Sequence, residues 1–142
     1  MLEINKLELA DVYRIVELEE ELLGESLGID MLTEEIKRGV VTFLKASVGD
    51  KTIGYIGGYA FDGELEIINF VVDKAYQRQG IGTKLLNEIM EITSAKRIIL
   101  DVRDTNIQGI NFYTKNGFTP VNIRKNYYKN GDNAVVMERR IK

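Results

Sequence analysis

An apolar run, Phe70, Val71 and Val72, leads into the turn Gln77, Arg78, Gln79, Gly80, Ile81, Gly82, and an apolar pattern of helical period follows at once. A strand that enters a helix through a Gly-x-Gly turn leaves backbone N–H groups open at the positive end of a helix dipole, which suits a phosphate. Two common phosphate loops fail on spacing. A Walker A loop needs Gly, four residues, then Gly-Lys-Ser/Thr, but position 77 is Gln and Gly82 is followed by Thr83 and then Lys84. A dinucleotide fingerprint needs a third glycine where this chain has Leu85, and an early βαβ unit rather than one at mid-chain. The bland alternative is a plain helix start whose glycines serve close packing.

The 142 residues, 44% hydrophobic and 29% charged, suit one globular domain spanning 1–142. The N-terminus lacks a secretion pattern and no apolar run is long enough to span a bilayer, so a cytoplasmic location without membrane contact is expected. With no Cys and no His, disulfides, the usual zinc ligands and Ser-His or Cys-His nucleophiles are excluded, and no metal is expected. Chemistry falls to carboxylates, Tyr, Lys, Arg and backbone groups. Residues 1–70 hold 15 Asp/Glu against 6 Lys/Arg, whereas residues 71–142 hold 7 against 13. A basic half around the loop suits a polyanionic ligand and an acidic half suits a cationic substrate such as an amine. Alternatively, Glu17, Glu19, Glu20 and Glu21 simply solvate a helix face. A pI near 5.1 argues against nucleic acid as a partner.

Leu2–Lys6 alternates as a first strand, and Asp11 is placed to cap a helix carrying Val12, Ile15, Val16, Leu22 and Leu23. A loop over Gly24–Asp30 and a helix over Thr33–Arg38, stopped by Gly39, come next. Val41–Val48, Thr52–Phe61 and Leu65–Val72 read as an antiparallel meander, with Asp62-Gly63 as the second turn. Alternation breaks at Ile67, Ile68 and Asn69, which predicts a bulge that splays the third strand from its neighbour. Ile81, Leu85, Ile89 and Ile92 then form a helical stripe, widened by Leu86 and Met90. Arg97–Val102 reads as a parallel strand, Asn106–Asn116 as a second helix ended by Gly117, and Asn133–Arg140 as the last strand. The fold class is therefore mixed α/β, with a ligand site where two parallel strands diverge.

Four ordered stretches carry a resemblance. Gln77–Thr83 is similar to the acetyl-CoA pyrophosphate loop of the GNAT acetyltransferases. Leu100–Asn106, Phe112–Phe118 and Arg124–Tyr128 resemble, in order and separation, the Leu-Glu-Val-Arg-x-x-Asn, Leu-Tyr-x-x-x-Gly-Phe and Arg-x-Asn-Tyr-Tyr segments of the branch that acetylates the N-terminal alanine of a ribosomal protein. The resemblance implies a GNAT fold, a mixed central sheet with splayed parallel strands flanked by helices. It further implies transfer of an acetyl group to a protein N-terminal α-amine. Acetyl-CoA would touch the backbone of Phe70, Val71 and Val72, the loop Arg78, Gln79, Gly80, Ile81, Gly82 and Thr83, and Asn106, which is equally well placed as a helix cap.

Acyl transfer to an amine needs a base for the ammonium proton and an acid for the departing thiolate. By resemblance Tyr113 is the acid, its phenol being protonated at neutral pH, and its other reading is a core aromatic against Phe112 and Phe118. Asp101 stands where the branch carries a glutamate base, one methylene short, so that a bridging water is required. Glu66 is the rival carboxylate, or else a solvent-facing sheet residue. An α-amine near pKa 8 costs about 1 kcal/mol to deprotonate at pH 7 and a lysine about 4 to 5 kcal/mol, so a weak base suffices for an N-terminus. Tyr127 and Tyr128 are candidates to wall a peptide groove, or serve as ordinary packing. The branch's Phe-Pro and Pro-Trp segment between the first helices is missing. Leu23–Asp30 occupies that stretch, the chain has no Trp, and its one Pro is Pro120. A small amine or polyamine is the competing acceptor, and a catalytically idle acetyl-CoA-binding module the competing role.

Overall fold

The computed structural model describes residues 1–141 apart from Glu25 and Leu27. Seven strands form one sheet: β1 (Leu2–Lys6), β2 (Val41–Val48), β3 (Lys51–Phe61), β4 (Glu64–Val72), β5 (Arg97–Arg103), β6 (Thr119–Arg124) and β7 (Ala134–Arg140), in the order β1-β2-β3-β4-β5-β7-β6. Only β4 and β5 pair in parallel. Their connection is helix α3 (Ile81–Thr93), the crossover that a parallel pair requires.

Two cores lie on opposite faces of the sheet. On one face α1 (Val12–Leu23) and α2 (Ile29–Arg38) bury Val12, Ile15, Leu18 and Leu32 against Phe43, Tyr55 and Val71. On the other, Ile81, Leu85, Leu86 and Ile89 of α3 meet Leu44, Ile56, Leu65, Ile67, Ile98 and Leu100, with Ile110 and Tyr113 of α4 (Ile107–Lys115) packed alongside. Each fully buried side chain of this kind contributes about 1.5–3 kcal/mol. In β5 this leaves Ile98, Leu100 and Val102 buried, while Arg97, Ile99, Asp101 and Arg103 point to the α1/α2 face.

The three-strand meander, the crossover and the bulge occur as the sequence predicts. Four local readings change. Asp11 occupies the N-cap position of α1, but its side chain accepts from the Glu8 amide at 2.8 Å and pairs with Lys45 at 2.9 Å, so it ties the helix start to β2 instead of capping it. Helix α2 begins at Ile29, one turn before Thr33, because Asp30 in its first turn and Lys37 and Arg38 in its last complement the helix dipole. Ile92 is exposed. At 100° per residue the buried face of α3 centres between Leu85 and Leu86, leaving Ile92 at its edge in the last turn. In α1 the stripe runs through Leu18, and Leu23 is exposed.

Candidate functional site at the splayed strands

Strands β4 and β5 pair only through Glu64, Leu65 and Glu66 against Arg97, Ile98 and Ile99. At that end the strands are stapled: Arg97 meets Glu64 at 2.7 Å and Glu138 of β7 at 2.6 Å. Beyond it they separate. Gly57 pairs with Asn69 but Gly58 with Ile67, so Ile68 is the extra residue of a bulge, two residues past the last β4–β5 rung. A bulge bends its strand and sharpens the local twist, which opens the gap. Asn69, Phe70, Val71 and Val72 thus have β3 on one side and no β5 partner on the other.

The Gly-x-Gly loop stands at the end of that gap. Gln77 ties it down, its Nε2 donating to the Val72 carbonyl at 2.9 Å and its Oε1 accepting from Gln108 of α4 at 3.2 Å. Arg78 takes φ +66° and Gly80 φ +79°, successive left-handed turns that swing the chain into α3. No side chain caps α3, so the first-turn amides of Ile81, Gly82 and Thr83 lack intrahelical acceptors. A Cβ on Gly82 would stand 3.1 Å from the Phe112 ring and 3.5 Å from that of Phe70, so only glycine lets the helix start approach these rings freely. Arg78 is exposed and pairs with no acid among the described residues. A cradle of open amides with one uncommitted guanidinium beside it fits a pyrophosphate.

Aromatic rings line the gap. Phe70 lies 5.7 Å from Phe112 and 6.2 Å from Tyr113 between ring centroids, and Tyr113 lies 5.6 Å from the buried Phe118. Tyr113 packs on the core against Phe118 and stands beside Phe70 at the gap. Burial, and then the neighbouring Tyr128, push its phenol well above the ordinary tyrosine range, so it is protonated at neutral pH. Asn106 is the N-cap of α4, its Oδ1 accepting from the Gly109 amide at 2.9 Å. Its Nδ2 meets no acceptor among the described residues.

The two carboxylates share the α1/α2 face. Glu66 is exposed on the last paired rung, beside Ile99, and lines a shallow hollow of about 410 Å³ with Tyr59, Phe61 and Arg97. Asp101 is the next residue of β5 on that face, about 6.6 Å further along the strand at two residues' rise, where the gap begins. It pairs with Arg124 of β6 at 3.4 Å, and Arg124 in turn lies 5.7 Å from the Tyr127 ring. Tyr128 stacks under Arg103 at 4.0 Å. The structure therefore brings Asp101, Arg124, Tyr127, Tyr128 and Tyr113 to one end of the sheet, whereas Glu66 sits one same-face step back from the opening. Of the segment expected to shape the acceptor side, Glu25 and Leu27 lie outside the described residues.

Of the acids expected to solvate α1, Glu19 is buried. Glu17, Glu20 and Glu21 are exposed, but Glu19 is 1% exposed, accepting from Tyr55 at 2.5 Å and from Asn69 at 2.8 Å. Its place on α1 gives the signal, since 15, 18, 19 and 22 fall on one helical face. Gln77, read only as part of the loop, is likewise a structural tie.

The family profile described as Acetyltransferase (GNAT) family matches residues 9–118. An N-alpha-acetyltransferase RimI of Mycobacterium tuberculosis is 32% identical over 146 residues, covering 96% of this chain and 90% of the relative. The crystal structure of the ribosomal-protein-S18-alanine N-acetyltransferase of Escherichia coli superposes with a TM-score of 0.88 at 24% identity, over 100% of this chain and 95% of that one. PaiA N-acetyltransferase of Thermoplasma acidophilum, solved in complex with coenzyme A, gives a TM-score of 0.80 at 24% identity, over 99% of each chain.

Proposed function

Because the chain belongs to the GNAT acetyltransferase family, we propose that it is an acetyl-CoA-dependent N-acetyltransferase acting on a protein N-terminal α-amine, with a ribosomal protein beginning in alanine as the first candidate. The observation that carries this reading is the gap itself. The strand edge of Asn69 to Val72 is unpartnered and α3 starts without a side-chain cap, while the Tyr113 ring lies beside Phe70 on one face and Asp101 just past the last paired rung on the other.

In this reading the amides of Gln79 to Thr83 and the Arg78 guanidinium hold the pyrophosphate, and the open edge of Phe70 to Val72 takes the amides of the pantetheine arm as a neighbouring strand would. Asn106 contributes its Nδ2 while its Oδ1 caps α4. Acetyl-CoA supplies an activated thioester when bound. Asp101, through a water, takes the proton of the incoming ammonium, and Tyr113 gives its phenolic proton to the leaving sulfur. Glu66 is the second carboxylate of the face. With no Cys or His in the chain to carry an acyl group, the amine attacks directly in a ternary complex. Ping-pong initial-rate patterns would exclude this order. Tyr127, Tyr128 and Arg124 form the near wall of the acceptor groove, and no nucleic acid enters.

The test is incubation with acetyl-CoA and a short Ala-starting peptide, with the acetyl group located by mass spectrometry. The expected result is label on the α-amine. Label confined to a free polyamine in a parallel reaction would replace the protein acceptor with a small amine, to which the acidic residues 1–70 are also suited. No turnover on either, with coenzyme A still bound, would leave an idle binding module.

A further inference from the structure

Glu19 is buried at the point where β4 changes register. A carboxylate withdrawn from water has to be repaid with strong donors, and for the packing of α1 an apolar residue would have served as well as its neighbour Leu18. Its Oε2 instead receives the Tyr55 hydroxyl at 2.5 Å and the Asn69 Nδ2 at 2.8 Å, drawing together α1, β3 and β4. Asn69 is the residue between the bulge at Ile68 and Phe70, and its register partner is Gly57. Tyr55 is fully buried, and burial and then the adjacent Glu19 push its phenol far above the ordinary range, so it is a donor at neutral pH. Among the described residues the carboxylate is thus held by the Tyr55 hydroxyl and by Asn69 at the bulge.

We infer that Glu19 is a positioning residue. Through Asn69 it holds residues 68–70 in the bulged conformation and so sets the width of the gap in which the thioester would lie. It touches neither substrate nor reacting atoms. The effect on turnover rests on the acetyltransferase reading above; the effect on the strand does not.

The experiment combines hydrogen exchange by mass spectrometry with steady-state kinetics and coenzyme A titration on Glu19→Leu, Glu19→Gln and Asn69→Ala. In Glu19→Leu and Asn69→Ala, exchange over residues 66–73 should quicken and kcat fall, each by about tenfold or more, with the Kd for coenzyme A within about threefold, as expected for loss of a hydrogen bond to a charged group away from the loop. Exchange over residues 81–93 should stay at the wild-type rate. Glu19→Gln, whose amide oxygen still accepts from both donors, should restore exchange and kcat. Wild-type exchange over 66–73 in the variants overturns the inference, as does equal acceleration over 81–93, which would make Glu19 a core residue of general stability. Should Glu19→Leu fail to fold, Asn69→Ala carries the same two outcomes, because it leaves the Glu19–Tyr55 bond intact. If the wild-type protein acetylates no amine at all, the proposed function fails on its own while the exchange data still decide the role of Glu19.

Discussion

In the proposed reading, the donor side of the site and its acceptor side are built differently. The donor side is one continuous stretch, from the bulge at Ile68 through the loop and α3, and its working groups are mostly backbone amides that the helix start leaves open. The acceptor side is assembled from segments far apart in the chain: α1 and α2, the outward face of β5, and the β6–β7 connection carrying Tyr127 and Tyr128. It works through side chains and ion pairs such as Asp101 with Arg124. A site made of backbone is fixed by local conformation, whereas a site made of distant side chains can be rebuilt by changing any one contributor. On the proposed function, binding of the donor would therefore be the robust property of this chain and choice of acceptor the adjustable one.

Tyr113 tests whether the two sides join in one centre, and the largest effect is expected there. Tyr113→Phe keeps the contacts with Phe70 and Phe118 but removes the proton donor, so kcat should fall by about 100-fold or more while coenzyme A affinity is kept. Unchanged kcat in single-turnover kinetics would reduce Tyr113 to a core aromatic. Gly82→Val probes the donor side alone. Its side chain would press on the Phe112 ring and cover the open amides, and coenzyme A affinity by calorimetry should drop by about 10- to 100-fold, the cost of overpacking a close approach. A variant that binds coenzyme A normally would show the loop to be a plain helix start. Arg78→Ala removes only an exposed charge. The loss should be about fivefold at low salt and should fade in 1 M salt, where surface charges are screened.

What was legible in the sequence follows the same division. The meander, the crossover, the Ile68 bulge and the loop are encoded by neighbours in sequence: Asp62-Gly63 for a turn, two adjacent isoleucines for a break in alternation, Gly80 and Gly82 for a helix start. Asn106 was legible as a cap for the same reason. Glu19 was not, because a glutamate among three other acids looks solvated until Tyr55, 36 residues away, and Asn69, 50 residues away, are brought beneath it. Asp11 misled similarly, since its capping geometry was legible but the competing Lys45 of β2 was not. Asp101 and Glu66 could be named as rivals from sequence. Only the register, which puts Glu66 on the last paired rung and Asp101 just beyond it, separates their places.

The smallest expected effect sets one phenol on each side against the other, Tyr55 fully buried and Tyr113 half-buried. Tyr55 anchors Glu19 on the acceptor side and Tyr113 stands at the gap, and burial raises both phenols well above the ordinary tyrosine range. The unfolded chain ionises its tyrosines from about pH 10, while the native packing does not accept a phenolate there. The unfolded state therefore gives up protons that the folded state keeps, and stability, complete below pH 10, falls as pH rises beyond it. For the fully buried Tyr55 the loss amounts to about 0.8 kcal/mol at pH 10.5, relative to the plateau. Urea midpoints measured at pH 8 and pH 10.5 should show this decline in the wild type, and Tyr55→Phe should flatten it even though its own plateau is lower. Tyr113→Phe should flatten it further when added to Tyr55→Phe. An alkaline decline as steep in the double variant as in the wild type would mean that neither phenol is held neutral above pH 10 by its surroundings.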